Sequence, residues 1–469
     1  MKICLIAEGS YPFVAGGVSS WMQTLMSSMP EHEFIVFAIG AEGKDRGVRK
    51  YEKPENLIEI KEVFLDELAE TEAKWGKKLK FLIEEKEMLK EFIAGENFSK
   101  KDFFKFVERF KDRSPSEILM SEDFYDIVKE VAEEKYKYIS FNGLFWTVRS
   151  VLVTLLEILR CDVPKADIYH SVSTGYSGII GAYMKYLYDA PFLLTEHGIY
   201  SREREEEIIK TDWVKGNFKE IWINYFYSLS YVAYDAADKV ICLYEGAKEI
   251  QEEIGCDREK IQIVPNGISV EQFKDIYKER HDEVVNIGAI IRMVPIKDVK
   301  TMLKAFDYVK KEAENVNFFI MGPHEENPEY AEECISMAEE LGLGKEIFKG
   351  RVNIKEHIGK MDILALSSIS EGQPLSVLEG MAAGVSHVVT DVGSCGELIY
   401  GMNDNIGHAG IVVPVMNHKE FGRALLSLVK NKSLREEYAN NGKLRVDKFY
   451  RFNDFIESYR KIYHSLKEV

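Results

Sequence analysis

The sequence predicts an α/β protein built as two domains, each a parallel sheet wrapped by helices. Three observations carry this. Short apolar runs alternate with helical patterns along most of the chain, the signature of βα units. The runs fall into two sets, and each set is large enough for a sheet of its own. A chain of 469 residues is also longer than one hydrophobic core normally organises.

In the first half the expected strands are Ile3–Ala7, Phe34–Ile39, Asp167–Val172, Phe192–Thr195, Val240–Leu243 and Ile261–Val264. In the second they are Val284–Gly288, Phe318–Met321, Ile347–Lys349, Ile363–Leu366, Val388–Thr390 and Ile411–Val413. Residues 60–140 break the alternation with Lys and Glu at helical spacing around Phe and Leu. They read as a helical insertion in the first domain, with either a solvated charged face or a partner surface. The turn sequence Val264-Pro-Asn-Gly-Ile268 and the polar segment that follows place the domain boundary after residue 275. The expected domains are 1–275 and 276–449. A last helix over 450–469, striped with Phe452, Phe455, Tyr459 and Tyr463, is expected to complete the first.

The formal charge of −17 argues against sequence-independent nucleic-acid binding, which needs phosphate-neutralising cations. Any anion site must be a local cluster. Six scattered cysteines without a Cys-x-x-Cys pair read as reduced thiols, and hence a cytoplasmic chain. Met1–Ala7 is too short for a signal segment, and the most apolar helical stretch, Leu144–Leu159, contains Arg149 and Glu157. A buried domain helix is expected there rather than a membrane span.

Four constellations sit where α/β sheets bind ligands, beyond the carboxyl ends of strands. In Glu371-Gly-Gln-Pro-Leu-Ser-Val-Leu-Glu379 one carboxylate falls in a strand-to-helix turn and the second inside the helix. Gly372, Gln373, Pro374 and Leu375 lie between them, with Leu375, Leu378 and Ala382 as the expected buried stripe. Both acids suit hydroxyl groups, although Glu379 alone also reads as an exposed helical acid. Arg292-Met-Val-Pro-Ile-Lys297 supplies a guanidinium and an ammonium that either clamp a diphosphate or lie on the surface beside Asp298. Gly16-Gly17, ahead of a helix expected from about Ser19, reads equally as a phosphate approach or a tight turn. His197, in Thr195-Glu-His-Gly-Ile-Tyr200, is either a packed core residue or a hydroxyl ligand and proton carrier. No Asp-x-Asp pair or His/Cys cluster has metal-ligand spacing, and no Gly-x-x-x-x-Gly-Lys loop occurs.

Together these motifs resemble glycosyltransferase family 4, the retaining GT-B enzymes. The Glu371/Glu379 spacing is that family's mark, joined by Arg292/Lys297, Met381-Ala-Ala-Gly384 and Thr390-Asp-Val-Gly393. The chain is most similar to the PelF-like subgroup of Pel exopolysaccharide biosynthesis. Ala7-Glu-Gly-Ser-Tyr-Pro12, Thr195–Tyr200 with Arg202 and Arg204, and Ser368–Leu375 carry that similarity.

The resemblance implies two Rossmann-like domains facing a cleft. It also implies a UDP-sugar donor, with UDP-glucose first, a saccharide acceptor and no metal cofactor. Arg292 and Lys297 would hold the diphosphate, approached by the Gly17 backbone. Glu371 would read sugar hydroxyls, with Gly372, Gln373, Pro374 and Leu375 binding the donor beside it, Glu379 the ribose, and His197 the donor sugar. The base would lie near Arg351-Val352-Asn353. Membrane proteins of a synthase complex are implied partners, recruiting the chain to the inner face of the membrane. Two departures from the pattern are Ser386-His387, where a Pro is usual, and Gly396, where an Arg is expected. Two rival readings are a non-catalytic sugar-nucleotide-binding subunit of such a complex and a glucan synthase using ADP-glucose. Val14 stands where the latter carries a Lys.

Overall fold

The computed structural model describes residues 1–68, 78–274, 276, 284–402 and 404–468. The first sheet holds β1 (Lys2–Glu8), β2 (Glu33–Gly40), β3 (Leu57–Phe64), β4 (Ile168–Ser171), β5 (Phe192–Thr195), β6 (Lys239–Cys242) and β7 (Ile261–Ile263). Its strands are all parallel, in the order β3-β2-β1-β4-β5-β6-β7. The second holds β8 (Val285–Ile290), β9 (Val316–Met321), β10 (Phe348–Gly350), β11 (Ile363–Leu366), β12 (Ser386–Thr390) and β13 (Gly410–Val413). It too is parallel, in the order β10-β9-β8-β11-β12-β13. Both orders reverse at the first-formed strand, the arrangement of Rossmann-like sheets.

Every strand expected from the sequence is present. β3 was not expected. It takes the opening residues of the segment read as helical, where Glu59, Lys61 and Glu62 interrupt the apolar run. Those charges suit an edge strand with half-exposed faces. Helices Ile83–Ala94, Lys100–Arg109, Pro115–Leu119 and Glu122–Glu134 then form the insertion. Ser99, Ser114 and Ser121 cap the last three by accepting backbone N–H bonds.

Helix Phe141–Ile158 has the length and mean hydropathy of a membrane span. Leu144, Phe145, Val148, Leu152 and Leu155 on it are buried within the first unit. All six cysteines are free thiols.

The chain forms two compact units. The first comprises Met1–Cys242, Ala247–Ile263 and the residues from Arg460; the second comprises Leu243–Gly246 and Val264–Tyr459. The boundary expected after residue 275 falls at positions outside the described residues. Val264 onward already groups with the second unit, for two visible reasons. The Asn266 N–H bonds Gln373 Oε1 at 2.6 Å. Ile268 exchanges backbone bonds with Tyr450 and Phe452 at 2.9 Å each. In the first unit, Arg460 Nε bonds Glu31 at 2.6 Å, and the Tyr463 hydroxyl lies 2.7 Å from His170 Nδ1.

Candidate functional site

In the second sheet β8 and β11 are neighbours, and the chain leaves them in opposite directions. The connections therefore part at the carboxyl ends of these strands and leave a crevice. Two loops line it, Ile291–Asp298 after β8 and Ser367–Pro374 after β11.

The β8 loop closes with the 3₁₀ turn Pro295–Lys297. Asp298 follows with φ +44°, and its carboxylate accepts the Thr301 N–H at 3.3 Å to cap helix Val299–Glu312. The β11 loop is fastened to this turn. Ser367 Oγ donates to the carbonyls of Lys297 (2.9 Å) and Asp298 (3.0 Å). The Ile369 N–H bonds the Ile296 carbonyl at 2.8 Å, and Thr390 Oγ1 donates to the Ser368 carbonyl at 2.6 Å.

On this frame the Lys297 ammonium pairs with the Glu371 carboxylate, and both side chains are largely buried. Ser368 Oγ donates to the same Glu371 oxygen at 2.6 Å. The turn is also braced from β12. Gly393 has φ +52°, and a Cβ there would stand 2.1 Å from the Glu371 carbonyl and 2.4 Å from that of Gly372. Only glycine fits so close an approach. The Ser394 N–H then bonds the Gly372 carbonyl at 2.9 Å.

Pro374 caps helix Leu375–Ala382 rather than opening it. Leu375, expected in the buried stripe, is exposed. The stripe is Val377, Leu378, Met381 and Ala382, because the first helical position precedes the turn that meets the sheet. Glu379 is half-buried, and burial pushes its carboxyl up to about 7 against the pull of the Lys355 ammonium. Gln373 was expected to serve the ligand, but its side-chain oxygen is committed to Asn266.

Arg292 lies on the β8 loop without joining the Lys297–Glu371 pair. Its Nη1 contacts both Glu326 oxygens, at 2.6 and 2.7 Å. Arg351 is exposed at the end of β10, and Val352 packs against the core of the second unit. The sequence reading assigned no role to Ser367, Ser368 or Glu326. The Ser-Ser pair closing an apolar strand was the available signal for the first two.

Gly16, Gly17 and His197 belong to the first unit. The helix begins at Gly17, two positions before the expected start, with Gly16 as an extended N-cap. A Cβ on either glycine would meet nothing within 4 Å. The His197 ring stands edge-on to Trp21 with centroids 4.7 Å apart, and its buried Nε2 has no hydrogen-bond partner. Burial holds its pKa down at about 4, so the ring is neutral near pH 7. It is fitted to hydrogen bonding rather than to carrying a proton.

The two departures from the motif pattern have local explanations. Ser386 Oγ donates to the Asp362 carbonyl at 2.9 Å, tying the start of β12 to that of β11. His387 is fully buried against Gly380 of the Glu379 helix, where a Cβ would lie 2.4 Å from its Nε2. Gly396 is less constrained, since the nearest atom to a Cβ there is Asp391 Oδ1 at 3.5 Å. Among the described residues no group of three His, Cys, Asp or Glu is placed to hold a metal ion.

Comparison with known proteins bears on the family and the fold. A family model described as "Domain of unknown function (DUF3492)" matches residues 1–259, and one described as "Glycosyl transferases group 1" matches residues 271–445. The chain is 29% identical over 265 residues to the N,N'-diacetylbacillosaminyl-diphospho-undecaprenol alpha-1,3-N-acetylgalactosaminyltransferase of Campylobacter jejuni. That match covers 53% of this chain and 65% of the relative, just under two thirds of its length. Among solved structures, sucrose-phosphate synthase from Thermosynechococcus elongatus aligns with a TM-score of 0.63 at 13% identity, over 99% of this chain and 98% of that one. Anabaena HepE in complex with UDP and glucose aligns with a TM-score of 0.61 at 14% identity, over 99% and 100%. These two likenesses bear on the fold. With the first family model spanning more than half of the chain, the chain belongs to the DUF3492 family, and its second unit carries the match to the glycosyl transferases group 1 model within a GT-B fold.

Proposed function

We propose that this protein is a retaining, metal-independent hexosyltransferase that uses a UDP-sugar, UDP-glucose first, to extend a saccharide in exopolysaccharide synthesis. The observation that carries the reading is the Lys297–Glu371 pair at the switch point of the second sheet. It sets a phosphate-binding cation beside a carboxylate suited to sugar hydroxyls. Support for the donor comes from HepE, whose structure has been solved with UDP-glucose. Support for a saccharide acceptor comes from the Campylobacter relative, whose name specifies transfer to a saccharide on diphospho-undecaprenol. The PelF-like motifs support the exopolysaccharide role, within the glycosyltransferase family 4 pattern.

In this reading Arg292 and Lys297 hold the diphosphate, and Glu371 holds the sugar by its hydroxyls. Glu379 takes the ribose, and the base lies against Arg351 and Val352. The motif resemblance also assigns Gly16 and Gly17 to the phosphates and His197, a neutral ring, to the donor sugar. The bond from the anomeric carbon to the phosphate oxygen breaks as the acceptor oxygen attacks the same face. The acceptor's proton passes to the departing phosphate. Positive charge on the sugar and negative charge on the leaving group grow together, so the two cations act most strongly at the transition state.

The test is turnover of UDP-glucose, UDP-galactose and ADP-glucose with a metal chelator present, followed by NMR of the product's anomeric configuration. Retention with a UDP-sugar is expected. Inversion, dependence on added metal, or preference for ADP-glucose would each overturn part of the reading. UDP binding without turnover on any acceptor would favour a non-catalytic subunit.

A further inference from the structure

The carboxyl edge of the second sheet carries charges of alternating sign. Across the strand order stand Arg351 after β10, Glu326 after β9, Arg292 and Lys297 after β8, and Glu371 after β11. The cations of the proposed diphosphate site are both paired with carboxylates, Lys297 with Glu371 and Arg292 with Glu326. The first pair needs no separate explanation, because Glu371 has its own proposed partner in the sugar. Glu326 has none.

The backbone leading to it is held against the β8 loop. The Ile291 N–H bonds the Met321 carbonyl at 2.9 Å, and the Met293 N–H bonds the Pro323 carbonyl at 3.0 Å. The two loops therefore flank Arg292 in register. Gly322 takes φ +152°, and a Cβ there would meet the Ile291 carbonyl oxygen at 1.8 Å. The Gly322 N–H is bonded to the Gly350 carbonyl at 2.8 Å. Past this junction Glu326 directly precedes Asn327, which caps helix Pro328–Glu340. Both Glu326 oxygens lie within hydrogen-bond distance of one guanidinium nitrogen, Arg292 Nη1.

We propose that Glu326 is a resident counter-ion of the diphosphate site. Its carboxylate occupies Arg292 until the donor's phosphate displaces it, so that Glu326 sets donor affinity and speeds release of the nucleotide product. The inference rests on the donor-site reading above. Displacing a half-exposed pair costs little, so the effect is one of tuning. It also makes Arg292 selective for phosphate, because a neutral ligand gains nothing by displacing a carboxylate.

Calorimetry on the full chain tests this with UDP, pyrophosphate and uridine, comparing wild type with Glu326→Gln. The variant is expected to bind UDP and pyrophosphate about three- to tenfold more tightly at low salt, with uridine unchanged. The gain should shrink at about 0.5 M salt. It should also vanish in an Arg292→Ala background. Unchanged or weaker UDP binding in Glu326→Gln overturns the counter-ion role, as does an equal gain for uridine. Wild type binding none of the three probes removes the donor site itself. A thermal melt of the variant, expected to match wild type, separates either outcome from misfolding.

Discussion

Lys297 and Glu371 pair across 74 positions of sequence, and the Ser368 hydroxyl lies 2.6 Å from the carboxylate oxygen that Lys297 contacts. The side chains are only 15% and 11% exposed, so neither charge is left to water. Removing either member of a pair this sheltered leaves the other charge buried and uncompensated, which is costly. In the proposed donor complex each would exchange its partner for a ligand group. Lys297→Ala and Glu371→Ala should each lower turnover of a UDP-sugar by at least about a hundredfold. Steady-state kinetics on either variant checks this, and a near-normal rate would remove that residue from the site.

Glu379 gives a pH dependence whose sign is fixed by burial. Its folded pKa of about 7 lies above the ordinary 4.5. The folded state therefore keeps a proton that the unfolded chain gives up. That contribution to stability is full below about pH 4.5 and is lost as pH rises through 7. Urea titration should find Glu379→Gln more stable than wild type at about pH 8, by at most about 3 kcal/mol, and equal to it at about pH 4. UDP affinity of wild type should rise between about pH 6 and 8, as the carboxylate that accepts ribose hydroxyls forms. A flat profile would take Glu379 out of the ribose contact.

Gly380 and His387 are shaped to one another, so their substitutions should not add. Gly380→Ala drives a methyl against both the imidazole and the Leu364 side chain, each 2.4 Å from the new Cβ, and should cost about 1–3 kcal/mol. His387→Ala alone leaves a cavity. Combined, they should cost at least about 1 kcal/mol less than their sum, measured by denaturant unfolding. Strict additivity would show that the contact is not felt.

Gly396 sits in the first turn of helix Cys395–Tyr400 with room beside it. Gly396→Ala should raise stability by about 0.5–1 kcal/mol, because the flexible residue loses more entropy on folding. A loss of stability in a thermal melt would point to a constraint that the backbone does not display.

The strands were legible because a buried parallel strand must be largely apolar on both faces, as Ile363–Leu366 is throughout and Phe192–Thr195 is up to its last residue. β3 was not, since an edge strand keeps Glu59, Lys61 and Glu62 and imitates a charged helix. The local half of the site was legible too. A strand, a glycine turn and a helix place Glu371 and Glu379 from a few neighbouring residues. What escaped depends on pairing between distant segments. Gln373 is taken by Asn266, Arg292 by Glu326, and the Glu371 turn rests on Gly393. Leu375 departs from the regular helical stripe because it lies in the first turn, before the helix reaches the sheet.

The adjacency of β8 and β11 has a consequence for how the protein acquires activity. Three βα connections, from β8 to β9, from β9 to β10 and from β10 to β11, separate the Lys297 turn from the Glu371 turn. Their contact is long in sequence, and such contacts are slow to form because loop closure precedes any reward. A chain with local helices and isolated strands, but without the β8·β11 seam, holds every residue of the clamp and no clamp. Capture of UDP during refolding should therefore lag behind the return of helical signal, making the ligand a reporter of tertiary completion in the second unit.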